Sequence, residues 1–110
     1  MRRAAVYRNA ILVGLLSEED DKTYKFEYDS TYLIDSKNSA VSLTMPKSKK
    51  IYRSEYLFPF FYNQLAEGVN KKLQSRHLQI DENDHFGLLL ATSSIDTIGA
   101  ISVKEITENA

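Results

Sequence analysis

From position 56 to position 62 the chain reads YLFPFFY, six large apolar or aromatic side chains in seven positions. No other feature constrains the fold as much. Each such side chain contributes about 1.5–3 kcal/mol when fully buried, and burial requires a second apolar layer. The full stretch, YLFPFFYNQLAEG, reads as a helix with Ser54 as N-cap, running to about Glu67 and stopped by Gly68. Pro59 falls early in it, where a missing N–H costs least. On a wheel of about 100° per residue, Leu57, Phe61, Leu65 and Phe58 share a stripe about 100° wide. Tyr62 and Phe60 fall on opposite flanks, so the apolar arc spans roughly 200°, about twice the usual stripe. That width fits a central helix covered on both sides. It also fits a helix with one flank kept for another protein, a role suited to tyrosine, whose ring is apolar and whose tip is polar.

The layer for this helix comes from alternating segments. AAVYRN followed by AILVGLLSEE reads as a β-hairpin turning at Asn9-Ala10. Alanine tolerates positive φ poorly, so the spelling predicts a less regular turn than Asn-Gly would give. TYKFEYD places Tyr24, Phe26 and Tyr28 on one face and Lys25 and Glu27 on the other. DSTYLIDS reads as one helical turn capped by Asp29 or Ser30. AVSLTMP reads as a strand with Val41, Leu43 and Met45 inward, ended by Pro46. PKSKKIYRSE reads as a basic loop. Val69 to Leu78 gives a second helix, and Asn83 or Asp84 caps a third, HFGLLLATSS, in which Gly87 marks close packing. TIGAISVKEI closes the chain as a strand with Ile101 and Val103 on one face. Strands, then helices, then a strand make an α+β fold: a small antiparallel sheet or partial barrel on about three helices.

The 110 residues are one domain's worth, spanning 1–110, with 43% hydrophobic and 26% charged residues. Four glycines and two prolines leave little room for linkers. A net charge of −1 implies neither a polyanion nor a membrane surface as partner. Arg8 and Asn9 interrupt any signal-peptide core, and no run has the length of a membrane span, so the expectation is a soluble cytoplasmic domain. With no cysteine there is no thiol nucleophile or cysteine-rich zinc site. His77 and His85, the two histidines, match no helical ligand pair, so no metal or cofactor is expected. No nucleophile elbow and no phosphate-binding glycine loop occurs. Lys47, Lys49, Lys50 and Arg53 form a basic cluster beside Tyr52 and Tyr56, more simply a solvated loop than a phosphate site. The acidic run Glu18 to Asp21 reads as a solvated turn. Nothing in the pattern points to an enzyme.

Four blocks, in order and at matching spacing, resemble the N-terminal subdomain of HipA-type toxin kinases. NAILVGLL (9–16) is similar to their opening hairpin, which carries an Asn-Gly turn and a Val-Gly-x-Leu strand. AVSLTMP (40–46) resembles their LSLSLP segment. LFPFFYNQLAEG (57–68) resembles FFDNLLPEG, and FGLLLATSSIDTIGAISV (86–103) resembles F-x-L-L … D-x-(I/V)-G-A-(I/V). The departures are that Ala10 stands for the usual Gly, Ala66 for the Pro of LPEG, and Tyr62 where the long kinases often have Asp. The sequence also ends just after the last strand, without the ATP-binding Lys, the Asp-x-x-x-x-Asn loop or the metal-binding Asp of a kinase.

A free-standing copy of this subdomain resembles the HipS-type antitoxins of tripartite HipBST systems. The resemblance implies a HipT-like serine/threonine kinase toxin as partner, one that phosphorylates an aminoacyl-tRNA synthetase, and a HipB-like helix-turn-helix DNA-binding protein in the same complex. It implies no direct contact with nucleic acid or membrane. On the wheel and the Asp-to-Tyr departure, the inhibitory contact falls to Tyr62, with Phe60, Phe61, Asn63 and Glu67 around it. The alternative is a non-inhibitory subunit that completes the kinase or bridges it to the DNA-binding protein.

Overall fold

Asn9 and Ala10 close the first hairpin with φ of 50° and 68°, and Arg8 sits directly opposite Ile11. Two central residues at positive φ are the signature of a tight type I′ turn. The turn is therefore as short as Asn-Gly would make it, with Ala10 held left-handed at about 1 kcal/mol. The irregularity lies further along. Val6 pairs with Gly14 but Tyr7 with Leu12, which leaves Val13 as the extra residue of a β-bulge. Its carbonyl accepts the Asp29 N–H at 2.8 Å, so the bulge ties the hairpin to the start of the first helix.

The computed structural model describes residues 2–62, 76–81, 83–93 and 101–106. Its strands are β1 (Arg2–Arg8), β2 (Ile11–Glu18), β3 (Tyr24–Tyr28), β4 (Ile51–Ser54) and β5 (Ile101–Ile106). They form one antiparallel sheet in the order β4-β3-β2-β1-β5. The helices are α1 (Ser30–Ile34), α2 (Pro59–Tyr62) and α3 (His85–Ser93); residues 76–78 are helical as well. This is the α+β arrangement expected from the order of segments.

The alternation in β3 holds, with Phe26 and Tyr28 buried and Tyr24 packed at the margin of the core. In β5, Ile101 and Val103 are buried as expected. Ala4, Val6, Leu16 and Phe26 of the sheet meet Leu57, Phe58 and Phe61 and, from α3, Phe86, Leu88 and Leu89 in one cluster. Asp29 caps α1, accepting from the Thr31 and Tyr32 N–H groups.

Three expectations are overturned. AVSLTMP is a tight turn: Met45 N–H donates to the Ser42 carbonyl at 3.1 Å, Val41 and Met45 are buried, and Leu43 points fully into solvent. The hydroxyl of Ser42 accepts from the Thr44 N–H at 3.2 Å, a local bond that competes with an extended ladder. IYRS is not loop but the edge strand β4, paired with β3 from Glu27↔Ile51 to Tyr24↔Ser54. Ser54 consequently ends a strand and caps no helix; its Oγ accepts the Tyr56 N–H at 3.1 Å. The helix starts at Pro59, whose ring pre-sets φ and holds Phe58 extended. The expected span to Glu67, and most of the expected helix from Val69 to Leu78, lie outside the described residues. Among the described residues no helix is long and apolar enough to cross a membrane.

Candidate partner-binding face

Helix α2 begins where β4 delivers the chain back over the sheet. The Phe58 carbonyl accepts the N–H groups of Phe61 and Tyr62, both at 2.9 Å. One turn is enough to divide its side chains. Phe61 is fully buried, its ring 5.9 Å from that of Phe26. Phe60 lies edge-on to Phe61 at 5.1 Å and is only partly buried. Tyr62 keeps 42% of its surface exposed, and its ring meets His85 edge-on at 5.0 Å. Tyr56, just before the helix, is 77% exposed. Of the residues assigned to the inhibitory contact, Tyr62 and Phe60 line this face. Phe61 is a core residue that anchors them and is not available to a partner. Asn63 and Glu67 lie outside the described residues.

His85, the residue that meets Tyr62, is placed by a charged clamp. Arg2 Nη2 donates to Glu18 Oε1 and to Asp84 Oδ1, both at 2.7 Å. Its Nε reaches Glu18 at 3.1 Å and its Nη1 reaches Asp84 at 3.1 Å, so one guanidinium spans two carboxylates. The same guanidinium lies 5.2 Å from the Phe86 ring centre. Asp84 Oδ1 also accepts the Gly87 N–H at 3.1 Å, capping α3. Here the glycine is required by space: a Cβ on Gly87 would lie 2.3 Å from Asp84 Oδ2 and 3.1 Å from Arg2 Nη1. Tyr24 completes the group, donating to Glu18 Oε2 at 3.1 Å. Burial, and then the Glu18 carboxylate, push the Tyr24 hydroxyl up to about 12. The clamp fixes the start of α3, α3 fixes His85, and His85 orients Tyr62.

Glu18 therefore corrects the reading of the acidic run as a solvated turn, since it is buried at the end of β2. Arg2 and Asp84 are 82 positions apart, so no local pattern pairs them. The available signals were Asp84 as a helix cap and Gly87 as a close-packing mark, and both prove to belong to the clamp. Nothing local marks His85 as Tyr62's neighbour.

The Arg2 hydrogen bonds hold the Asp84 carboxyl below its ordinary value of 3.8. A carboxylate whose pKa is lowered on folding stabilises the fold above its unfolded pKa, and loses that contribution as pH falls through the folded one. Acidification from about pH 5 to about pH 2.5 should thus lower the melting temperature of the wild type more steeply than that of Asp84→Asn. Parallel slopes would show that the clamp adds nothing to stability.

The basic cluster is largely used within the fold. Lys47 Nζ donates to the carbonyls of Asp35 and Asn38 at 2.7 and 2.8 Å. Lys49 lies 5.3 Å from the Tyr52 ring centre, and Lys50 Nζ bonds Ser30 Oγ at 2.9 Å. These lysines hold a loop in place, so they do not present one continuous phosphate-binding stripe.

Comparison with known proteins follows the same lines. Residues 4–104 match the model of the HipA N-terminal domain. The chain belongs to the HipA N-terminal domain family. A curated relative, an uncharacterized protein of Haemophilus influenzae strain Rd, is 30% identical over 105 residues, covering 96% of this chain and 93% of its own length. A solved structure described as the N-terminal domain of HipA toxin superposes with a TM-score of 0.73 at 26% identity, over 98% of this chain and 95% of its own. Membership of the HipA N-terminal domain family ties the chain to a toxin–antitoxin context, with a kinase as a possible partner.

Proposed function

We propose that this chain is a HipS-type antitoxin that binds a HipT-like serine/threonine kinase toxin and blocks it. It does so within a complex that includes a HipB-like helix-turn-helix DNA-binding protein. The observation that carries the reading is the division of labour in α2. Phe61 is locked in the core while Tyr62, one residue on, is 42% exposed and held edge-on by His85. A large side chain with its orientation already fixed loses little further entropy on binding, and tyrosine is enriched at interface hot spots. The rest is consistent with a non-catalytic partner. The sequence carries no ATP-binding lysine and no catalytic or metal-binding aspartate motif of a kinase. The Haemophilus influenzae relative matches over 93% of its own length, so a protein of this extent occurs elsewhere.

The test is a kinase assay with the kinase encoded beside this chain, titrated with purified chain. Wild type should suppress phosphorylation at stoichiometric amounts. Tyr62→Ala should need about 30-fold more protein, the loss expected of a 2 kcal/mol anchor, with an unchanged melting temperature. Inhibition by Tyr62→Ala equal to wild type would remove the assignment. A complex that forms without slowing the kinase would make the chain a structural subunit.

A further inference from the structure

Residues 35–50 connect α1 to β4, and the body of the domain holds them with side chains. The Tyr28 hydroxyl accepts the Val41 N–H at 3.0 Å and donates to the Met45 carbonyl. Those of Tyr32 and Tyr52 donate to the carbonyls of Ser39 and Pro46, each at 2.6 Å. Arg8 reaches the Ala40 carbonyl at 3.3 Å. Val41 and Met45, each 2% exposed, pin both feet of the 42–45 turn into the core. At the tip stands Leu43, 101% exposed, and at the end of α1 stands Ile34, 82% exposed.

A leucine held in water adds nothing to the stability of the fold. Three tyrosine hydroxyls nevertheless fix the loop that displays it, so the entropy of ordering is already lost before any partner arrives. The surroundings carry one sign of charge. From Ser36 to Lys50 there are four lysines and no aspartate or glutamate. Three of the four, Lys47, Lys49 and Lys50, have their side chains placed by the contacts given above.

We propose that the loop 36–50 is a second docking element, with Leu43 as its anchor. Its occupant is a protein offering a leucine-sized apolar pocket rimmed by carboxylates. This surface lies at the end of the sheet where β3 finishes at Tyr28. Tyr62 lies at the opposite end, against His85 beside the Arg2–Asp84 clamp. The two surfaces can be filled at once, so the occupant is a different protein from the one at Tyr62, and the chain is a bridge. An anionic membrane is less well matched. Two isolated apolar tips bury little area in a bilayer, and the net charge of the chain is −1.

The inference rests on the proposed function only for its probes, the kinase and the helix-turn-helix protein encoded beside this chain. Each is mixed with the full chain, wild type or Leu43→Asp, and followed by light scattering, titration calorimetry and kinase assay. Leu43→Asp should inhibit the kinase at wild-type concentrations but bind the helix-turn-helix protein about 30-fold more weakly. Leu43→Met should bind as wild type does. An unchanged melting temperature for Leu43→Asp excludes unfolding as the cause. The inference is overturned if Leu43→Asp binds the helix-turn-helix protein normally, or if it also loses kinase inhibition. It is equally overturned if the Leu43-dependent event proves to be self-association, or binding to vesicles containing phosphatidylserine. A wild-type chain that binds the helix-turn-helix protein through Leu43 yet leaves the kinase active supports this inference and overturns the antitoxin reading.

Discussion

Gly14→Ala should lower the melting temperature by on the order of 10–20 °C, equivalent to about 3 kcal/mol in a domain of this size. Gly14 sits at the bulge of β2, opposite Val6 on one side and Tyr28 on the other. A Cβ there would lie 2.3 Å from the Glu27 carbonyl oxygen, and 3.0 Å from both Phe26 Cζ and Tyr28 Cα. The first and last of these are backbone atoms of the paired strand, which cannot rotate away. To admit a methyl group, β2 and β3 must separate, and the core residues Phe26 and Tyr28 move with them. Thermal unfolding followed by circular dichroism measures the effect. A shift of only a few degrees would mean the bulge absorbs the methyl and the glycine is not required by space. The Val-Gly-x-Leu pattern of the family receives a physical reason here: the glycine is where two strands approach too closely for a side chain.

Tyr28→Phe should cost about 3 kcal/mol, although it removes a single oxygen. That hydroxyl is the partner of two buried backbone groups, the Val41 N–H and the Met45 carbonyl. A buried group left without a partner costs about 1–3 kcal/mol, and phenylalanine strands both. Burial pushes the Tyr28 pKa up, so the proton needed for the Met45 bond stays in place across the neutral range. A second readout locates the damage. With both feet of the turn loosened, trypsin should cut at Lys47, Lys49 and Lys50 faster than in wild type. A stable Tyr28→Phe with unchanged cleavage would show that the loop is held by its other contacts.

How much of this was legible in the sequence depends on the range of the interaction. The β1–β2 hairpin, the alternation in β3, the Asp29 cap and the closing strand all follow from neighbours a few residues apart. They stand as read. AVSLTMP failed because Val41 and Met45 are inward both in an alternating strand and in a four-residue turn; only Leu43 distinguishes the two, and it points out. IYRS failed because lysines before it and a short apolar content disguise an edge strand, whose outer face is allowed to be charged. The aromatic segment was legible as core, and Leu57, Phe58 and Phe61 are buried. Its start was misplaced because Ser54 has the composition of a cap but lies in the ladder with Tyr24. Tyr62 as an exposed flank was legible from the wheel. The Arg2 clamp and the His85 ring that orient it were not, since both depend on residues brought together only by the finished fold.

The position of β1 has a further consequence, one of timing. This first strand lies between β2 and β5, and its second ladder runs from Arg3↔Ile106 to Arg8↔Ile101. Roughly a hundred residues must therefore be closed into a loop before β1 has both neighbours, and closure of that kind slows folding as contact order rises. On the ribosome the β1–β2–β3 meander can pair early, but β1 stays an open edge until residues 101–106 emerge. Synthesis leaves that edge exposed longest, so the nascent chain is most open to mispairing or proteolysis in the interval before its last strand is made.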